Sequence, residues 1–466
     1  MKVPIEIVEA VVDLCRHDPS TLAAFSLVTS QLRARSQSHL FSHPKLVITW
    51  TIEGSPAQKL QDSLQSNDSL IPLIKGLTFD LRFVHDTPWP PRIYMNTVEP
   101  EELGMTNILD TLVSPILLKA RHLRTLCLKE SSRFTASKFP DNIFCTPMLN
   151  TAQLFRSIVS TNFQELHLSD LLYFLPSSFI HRHQHNLRHW DAHNCYFIQN
   201  SDHSPGSGGP PTLYLELLTL RWGSTSGSPP VNHTDWMRAP CARTIDVLQE
   251  PGNTNGQFYL ATDRLRALRL SLDASEACLE NTGKVIKNAG PCLERLEFIL
   301  PSSGLDIEEE STASTRELLP CRLSSNLRTL SFYQAPPSGV PGAASTNHAM
   351  TVLGAMSLLD VLDIPHLQEI NFWLQEPKED EDNDGWGVWS SFTEFLHTRR
   401  ASFSALERVG VTLVRSGETS RGGNDLAYAF LYSNFLNSEI RRDIDLDIEF
   451  VPSGTEFPDL SIDDFE

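Results

Sequence analysis

The sequence predicts an α/β protein in which a small N-terminal three-helix module is followed by an irregular solenoid of parallel strands with covering helices. Three observations lead there. Apolar residues over the first forty-odd positions recur at three- and four-residue steps, the period of a helix. After residue 70 a pattern of the form apolar-x-x-apolar-x-apolar returns ten times, its last two apolar positions alternating as in a strand with one buried face. Helical stretches separate these returns, and stacked strand-loop-helix units bury their faces against one another. With 466 residues, 40% of them apolar and 24 of them Phe, the chain has the material for a large core.

The first helix is opened by Val3-Pro4, since proline tolerates a first helical position whose N–H has no partner anyway, and Glu6 suits the positive end of the helix dipole. Ile7, Val8, Val11, Val12 and Cys15 form its apolar side. Asp18-Pro19 starts a second helix, with the Asp18 carboxylate placed to accept from orphan amides. Leu22, Phe25, Leu27 and Val28 supply its apolar residues, and a more polar third helix is expected from about Leu32 to Phe41. Three short helices enclose little core, so their remaining apolar surface must face the rest of the chain or a second protein.

Read as a row of motifs, Val3-Pro4-Ile5-Glu6-Ile7, Asp18-Pro19-Ser20-Thr21-Leu22, Ser26-Leu27-Val28, Arg35-Ser36 and His39-Leu40-Phe41 resemble, collinearly and without gaps, an F-box of the kind common in fungal proteins. The resemblance implies a substrate-recognition subunit of an SCF-type ubiquitin ligase. Its F-box would dock on a Skp-type adaptor, and through it on a cullin scaffold, by way of Val3, Pro4, Ile7, Val8, Val11, Leu27, Val28 and Leu32. Leu32 and Ser30 depart from the family, which usually has Trp at the first position and often a basic residue at the second; loss of an aromatic anchor weakens an interface. The same residues also read as a helical hairpin packed on the following domain, or as a vestigial F-box on a protein-interaction scaffold outside ubiquitination.

Next in order come a short strand at Leu46-Val47-Ile48 and a helix from Ala57 to Leu70. The repeated motif then begins at Ile74, Leu123, Phe163, Leu187, Leu215, Leu265, Leu293, Leu327, Leu367 and Leu406, with helices expected at 108–120, 152–159, 277–287, 352–362 and 389–397. The unit resembles a leucine-rich repeat, which implies strands lining a concave face and helices covering the convex one. Successive starts lie 24 to 50 residues apart, wider than the usual 20–29, so loops interrupt the array. Gly/Pro/Ser-rich stretches at 201–212, 223–231, 250–257 and 335–344 are those loops, and the acidic run 376–384 reads as a solvated one. An ordinary α/β domain sharing a commonplace pattern is the alternative. The alternation from Ile444 to Phe450 fits a last edge strand with acidic side chains turned outward. The expected organisation is residues 1–45 for the helical module, 46–450 for the array and 451–466 for an acidic flexible tail.

Acidic residues outnumber basic ones 57 to 38, a net charge of −19 that repels phosphate backbones and anionic lipid, so neither nucleic acid nor membrane is expected as a partner. Scattered cysteines without a C-x-x-C pair, no signal segment and no long apolar run point to the cytoplasm or nucleus. His181, His183, His185, His189 and His193 crowd together, but a turn and strand within them would make the side chains diverge, so they read as surface histidines and no metal or cofactor is assigned. No nucleophile elbow or phosphate loop occurs, and no catalytic residue is expected. The target of such a receptor would be a protein, held by outward-facing motif residues: Arg124, Glu165, Arg188, His189, Arg266, Arg269, Arg328 and Glu369.

Overall fold

A computed structural model describes residues 4–16, 18–49, 54–82, 108–130, 151–169, 172–174, 176–193, 196–198, 212–221, 259–261, 264–272, 282–283, 285–287, 289, 292–300, 326–334, 348–375, 384–415, 431, 433, 444–452, 455 and 458. The described chain divides into two compact units, one up to Leu213 and one from Tyr214 onward.

In the first unit, α1 (Ile5–Leu14), α2 (Pro19–Val28) and α3 (Ser30–Ser42) form the expected three helices. Pro4 is the residue before α1, not its first helical position. The Asp18 carboxylate accepts from the backbone N–H groups of Ser20 at 3.0 Å and Thr21 at 3.1 Å, so α2 is capped as its sequence foretells. The third helix starts two residues earlier than expected because the Thr29 hydroxyl accepts from the Leu32 N–H at 3.2 Å, a cap the hydrophobic pattern does not reveal. Val12 and Leu22 are the buried apolar side chains of α1 and α2.

After the helices come β1 (Lys45–Ile48), α4 (Pro56–Ser66), a 3₁₀ turn at Asp68–Leu73 and β2 (Gly76–Leu81). A π-helical turn at Leu109–Val113 leads into α5 (Ser114–Lys119) and β3 (Thr125–Glu130). The unit continues with α6 (Ala152–Arg156), β4 (Glu165–Ser169), β5 (Leu172–Phe174), α7 (Ser177–His183), β6 (His189–His193) and β7 (Tyr196–Ile198); β8 (Thr212–Tyr214) sits at the boundary. Its main sheet runs β1-β2-β3-β4-β6, every neighbour parallel, while β5 pairs with β7 apart from it. The motif positions stack across it in register: Leu77, Leu126, Leu166 and Trp190 form one buried row, and Phe79, Leu128, Leu168 and Ala192 the next.

The second unit contains β9 (Leu217–Arg221), β10 (Tyr259–Ala261), β11 (Ala267–Ser271), β12 (Arg295–Leu300), β13 (Thr329–Gln334), α8 (His348–Val361), β14 (Glu369–Gln375), α9 (Asp384–Thr398), β15 (Arg408–Val414) and β16 (Asp445–Val451). Its main sheet, again all parallel, runs β9-β11-β12-β13-β14-β15-β16. Leu218, Leu268, Leu296, Leu330, Ile370, Val409 and Leu446 share one row, and Leu220, Leu270, Phe298, Phe332, Phe372, Val411 and Ile448 the next. Phe298, Phe332 and Phe372 stack at 6.1 and 5.6 Å, and Trp389 and Phe392 of α9 meet the Phe372 ring edge-on, each at 5.2 Å. The leading residue of every motif, Ile74 through Leu406, is buried.

The fold is thus α/β, with parallel strands following one another in sequence order and helices between them. The last strand is β16, paired on one side with β15, with Asp445, Asp447 and Glu449 exposed; it ends on Val451, the first residue of the expected tail. The expected loops 223–231, 250–257 and 335–344 lie outside the described residues, as do 201–212 and 376–384 except for their last residues, Thr212 and Asp384, which open β8 and α9.

Candidate functional site

Two surfaces are built by this arrangement, the helical module and the strand face. In the module, Asp13 of α1 is gripped by α3. Its two carboxylate oxygens accept from Arg35 Nε and Nη2, both at 2.8 Å, and His39 Nε2 lies 2.7 Å from Oδ1. Hydrogen bonds from Arg35 and His39 hold the Asp13 carboxyl far below the usual carboxylate range. Asp18 is lowered to about 2 by the hydroxyls and amides of Ser20 and Thr21. Polar contacts therefore fix α1 on α3.

The outer apolar side of α1 stays uncovered. Ile7, Val11 and Leu14 recur at steps of four and three residues on one helix face and are 55%, 46% and 84% exposed. At the end of α2, Leu27 and Val28 are 80% and 65% exposed. Pro4 is exposed, Val8 and Leu32 are half-buried, and Val3 lies outside the described residues. A helix apolar on two sides buries one side in its own chain and presents the other.

On the first unit's strand face, two polar rows cross β3, β4 and β6. Thr125, Glu165 and His189 are register partners, as are Cys127, His167 and Asp191. His167 is the centre: its Nδ1 lies 3.6 Å from Asp191 Oδ2 and its Nε2 lies 3.7 Å from Glu165 Oε2. The His189 ring stands edge-on to it at 4.9 Å. Burial alone would depress the His167 imidazole, but Asp191 and Glu165 outweigh it and raise the group to about 9. Glu165 is lowered by His167 and also accepts from the Thr125 hydroxyl at 3.0 Å.

The second unit's face is different over β11 to β13, where it is filled. Arg269 and Glu297 pair there with 1% and 0% of their side chains exposed, Arg295 joins Glu297, and the Tyr333 hydroxyl donates to Glu297 Oε1 at 3.2 Å. Arg269 also lies over the Tyr333 ring at 4.8 Å and donates through Nη2 to the Pro458 carbonyl at 2.7 Å. Burial opposes the charge on Arg269, yet Glu297 prevails and its pKa is raised. Burial and Glu297 push the Tyr333 phenol up to about 12.

Two expectations about outward-facing residues are corrected. Arg269 is buried in its ion pair, and His189 is 3% exposed on β6 because the β4 side chains close over it. Arg124 and Arg328 are exposed; Glu165, Arg188, Arg266 and Glu369 are half-exposed, with Arg266 donating to Glu294 at 2.8 Å. Nor are the crowded histidines all on the surface. His181 and His185 are exposed, whereas His183 is buried against Phe163 and Phe179. The signal missed in the sequence is His167: Glu165 lies two residues before it, but His189 and Asp191 are 22 and 24 residues further along the chain and become its neighbours only once β4 and β6 pair.

No family model matches the chain, and no curated protein matches it significantly. Among the described residues, no helix is long and apolar enough to cross a membrane.

Proposed function

We propose that the protein is a non-catalytic substrate receptor of an SCF-type ubiquitin ligase, whose N-terminal F-box docks on a Skp-type adaptor and whose leucine-rich-repeat-like array holds a target protein. The observation that carries this reading is the uncovered Ile7, Val11 and Leu14 face of α1, with Leu27 and Val28 exposed at the end of α2, on a module already clamped internally by Asp13, Arg35 and His39. Burying side chains of this size at an interface contributes about 1.5–3 kcal/mol each. Each unit has an open part of its own strand face on which a target would rest, around β3 and β4 in the first and around β14 and β15 in the second; in the second unit the face over β11 to β13 is already occupied.

Purified full-length protein titrated with purified adaptor tests the reading. Leu27→Asp is expected to lower affinity about 10-fold or more, a loss of at least about 1.4 kcal/mol. Its unfolding temperature should stay within the wild-type range, because the side chain packs on little of its own chain. No association of the wild-type protein, or unaltered affinity of the variant, would overturn the proposal. A second reading, an interaction scaffold with a vestigial F-box, draws on the half-buried Leu32 where the family usually has Trp. Wild-type protein that fails to bind adaptor while Leu32→Trp binds it would favour that reading.

A further inference from the structure

We infer that Glu165, His167 and His189 form a binding site for a divalent transition-metal ion of the zinc class on the strand face of the first unit. This inference stands apart from adaptor docking. It rests on how β4 and β6 pair, not on the helical module.

The donor atoms are already gathered. One ligand atom from each of the three residues can be chosen so that all lie within 4.8 Å of one another, and His167 Nε2 is 3.7 Å from Glu165 Oε2. Two donors bound to one zinc at 2.0–2.2 Å and a tetrahedral angle lie about 3.3–3.6 Å apart, so the pair needs to close by only a few tenths of an ångström. Imidazole and carboxylate together suit zinc and its neighbours better than magnesium or calcium.

The surroundings match what a bound ion requires of its supports. Asp191 faces His167 Nδ1 at 3.6 Å, which turns Nε2 toward Glu165 and gives the carboxylate-imidazole-metal arrangement that orients ligating histidines. Thr125 donates to the ligating oxygen of Glu165 at 3.0 Å and fixes that carboxylate in turn. Every one of these side chains is mounted on a strand whose register is set by the buried Leu126-Leu166-Trp190 row, so the site is held by rigid elements. Three protein ligands leave a fourth position for water, and partial exposure of Glu165 and His167 lets an ion enter.

The test is uptake of Zn²⁺ by the metal-stripped full chain, read by equilibrium dialysis. Equimolar, saturable binding is expected. Glu165→Gln and His189→Gln should abolish it, and Asp191→Asn should weaken it about 10- to 100-fold. His185→Gln, at an exposed position outside the site, should leave it unchanged. Because a substituted strand can lose its fold, the wild-type protein labelled in its histidine nitrogens supplies a second measurement. Zn²⁺ should displace the ring signals of His167 and His189 and spare that of His185. No saturable binding, binding that the Glu165 and His189 substitutions leave intact in folded protein, or displacement of other histidines alone would overturn the assignment.

Discussion

His183 is a basic group surrounded by rings. Phe163 and Phe179 lie 5.2 and 4.8 Å from it, and burial pushes its pKa down to about 4. In the unfolded chain the same imidazole titrates near 6.5. Between those values the unfolded state binds a proton that the folded state refuses, so stability falls as pH drops from about 6.5 to about 4 and this contribution is flat below. The whole effect is on the order of 3 kcal/mol. His183→Phe should therefore lose less unfolding temperature than wild type over that window, as calorimetric scans at several pH values would show. Arg182 still donates to the Ile158 carbonyl at 2.8 Å, so removing the His183 contact leaves that acceptor partnered. Parallel pH profiles for the two proteins would contradict the assignment. The sequence could not single out His183 among its neighbours, since only the pairing of α7 with the Phe163 strand entrance makes one histidine a core residue.

At the scale of elements, the joint between the helical module and the sheet is tight at one point. A methyl group on Gly76, the first residue of β2, would overlap the ring of His43, which stands at an exposed position. Gly76→Ala should make that ring swing toward solvent at a cost of about 1 kcal/mol, measured as a shift in the denaturation midpoint of the first unit. The Asp13 clamp predicts something different. Arg35→Gln removes a bidentate grip without opening a core, so amide exchange in α1 should quicken while the sheet amides of β2 and β3 keep their protection. Much of this level was legible from the chain. Asp18-Pro19 announced α2, and the ten motifs lead into strands that are aligned in register within each unit, since the alternation of period two is forced wherever one face is buried. What stayed hidden was the polar face between the motif leucines. Thr125, Glu165 and His189 are 24 or more residues apart in sequence, and only strand pairing sets them side by side.

For the molecule as a whole, a charge of −19 makes long-range repulsion a standing cost. Added salt should raise the unfolding temperature by screening it, with the largest gain below about 0.15 M. The buried pair in the second unit answers to other rules. Replacing Arg269 alone strands Glu297 with fewer partners and should cost about 3–5 kcal/mol, whereas replacing Arg269 and Glu297 together by Met should cost less than Arg269→Met alone. Urea titration of the two variants makes the comparison, and a double variant weaker than the single one would show that the charges stabilise more than they strain.

The contact from Arg269 to the Pro458 carbonyl spans 189 residues of chain. While the protein is being synthesised, β11, β12 and β13 can align as soon as each emerges, yet the guanidinium between them must wait for its final acceptor until residue 458 has been made. A chain halted earlier would carry a cation lacking one of its partners in an otherwise assembled layer, leaving that layer loosest in the nascent polypeptide and firm only when its distant end arrives.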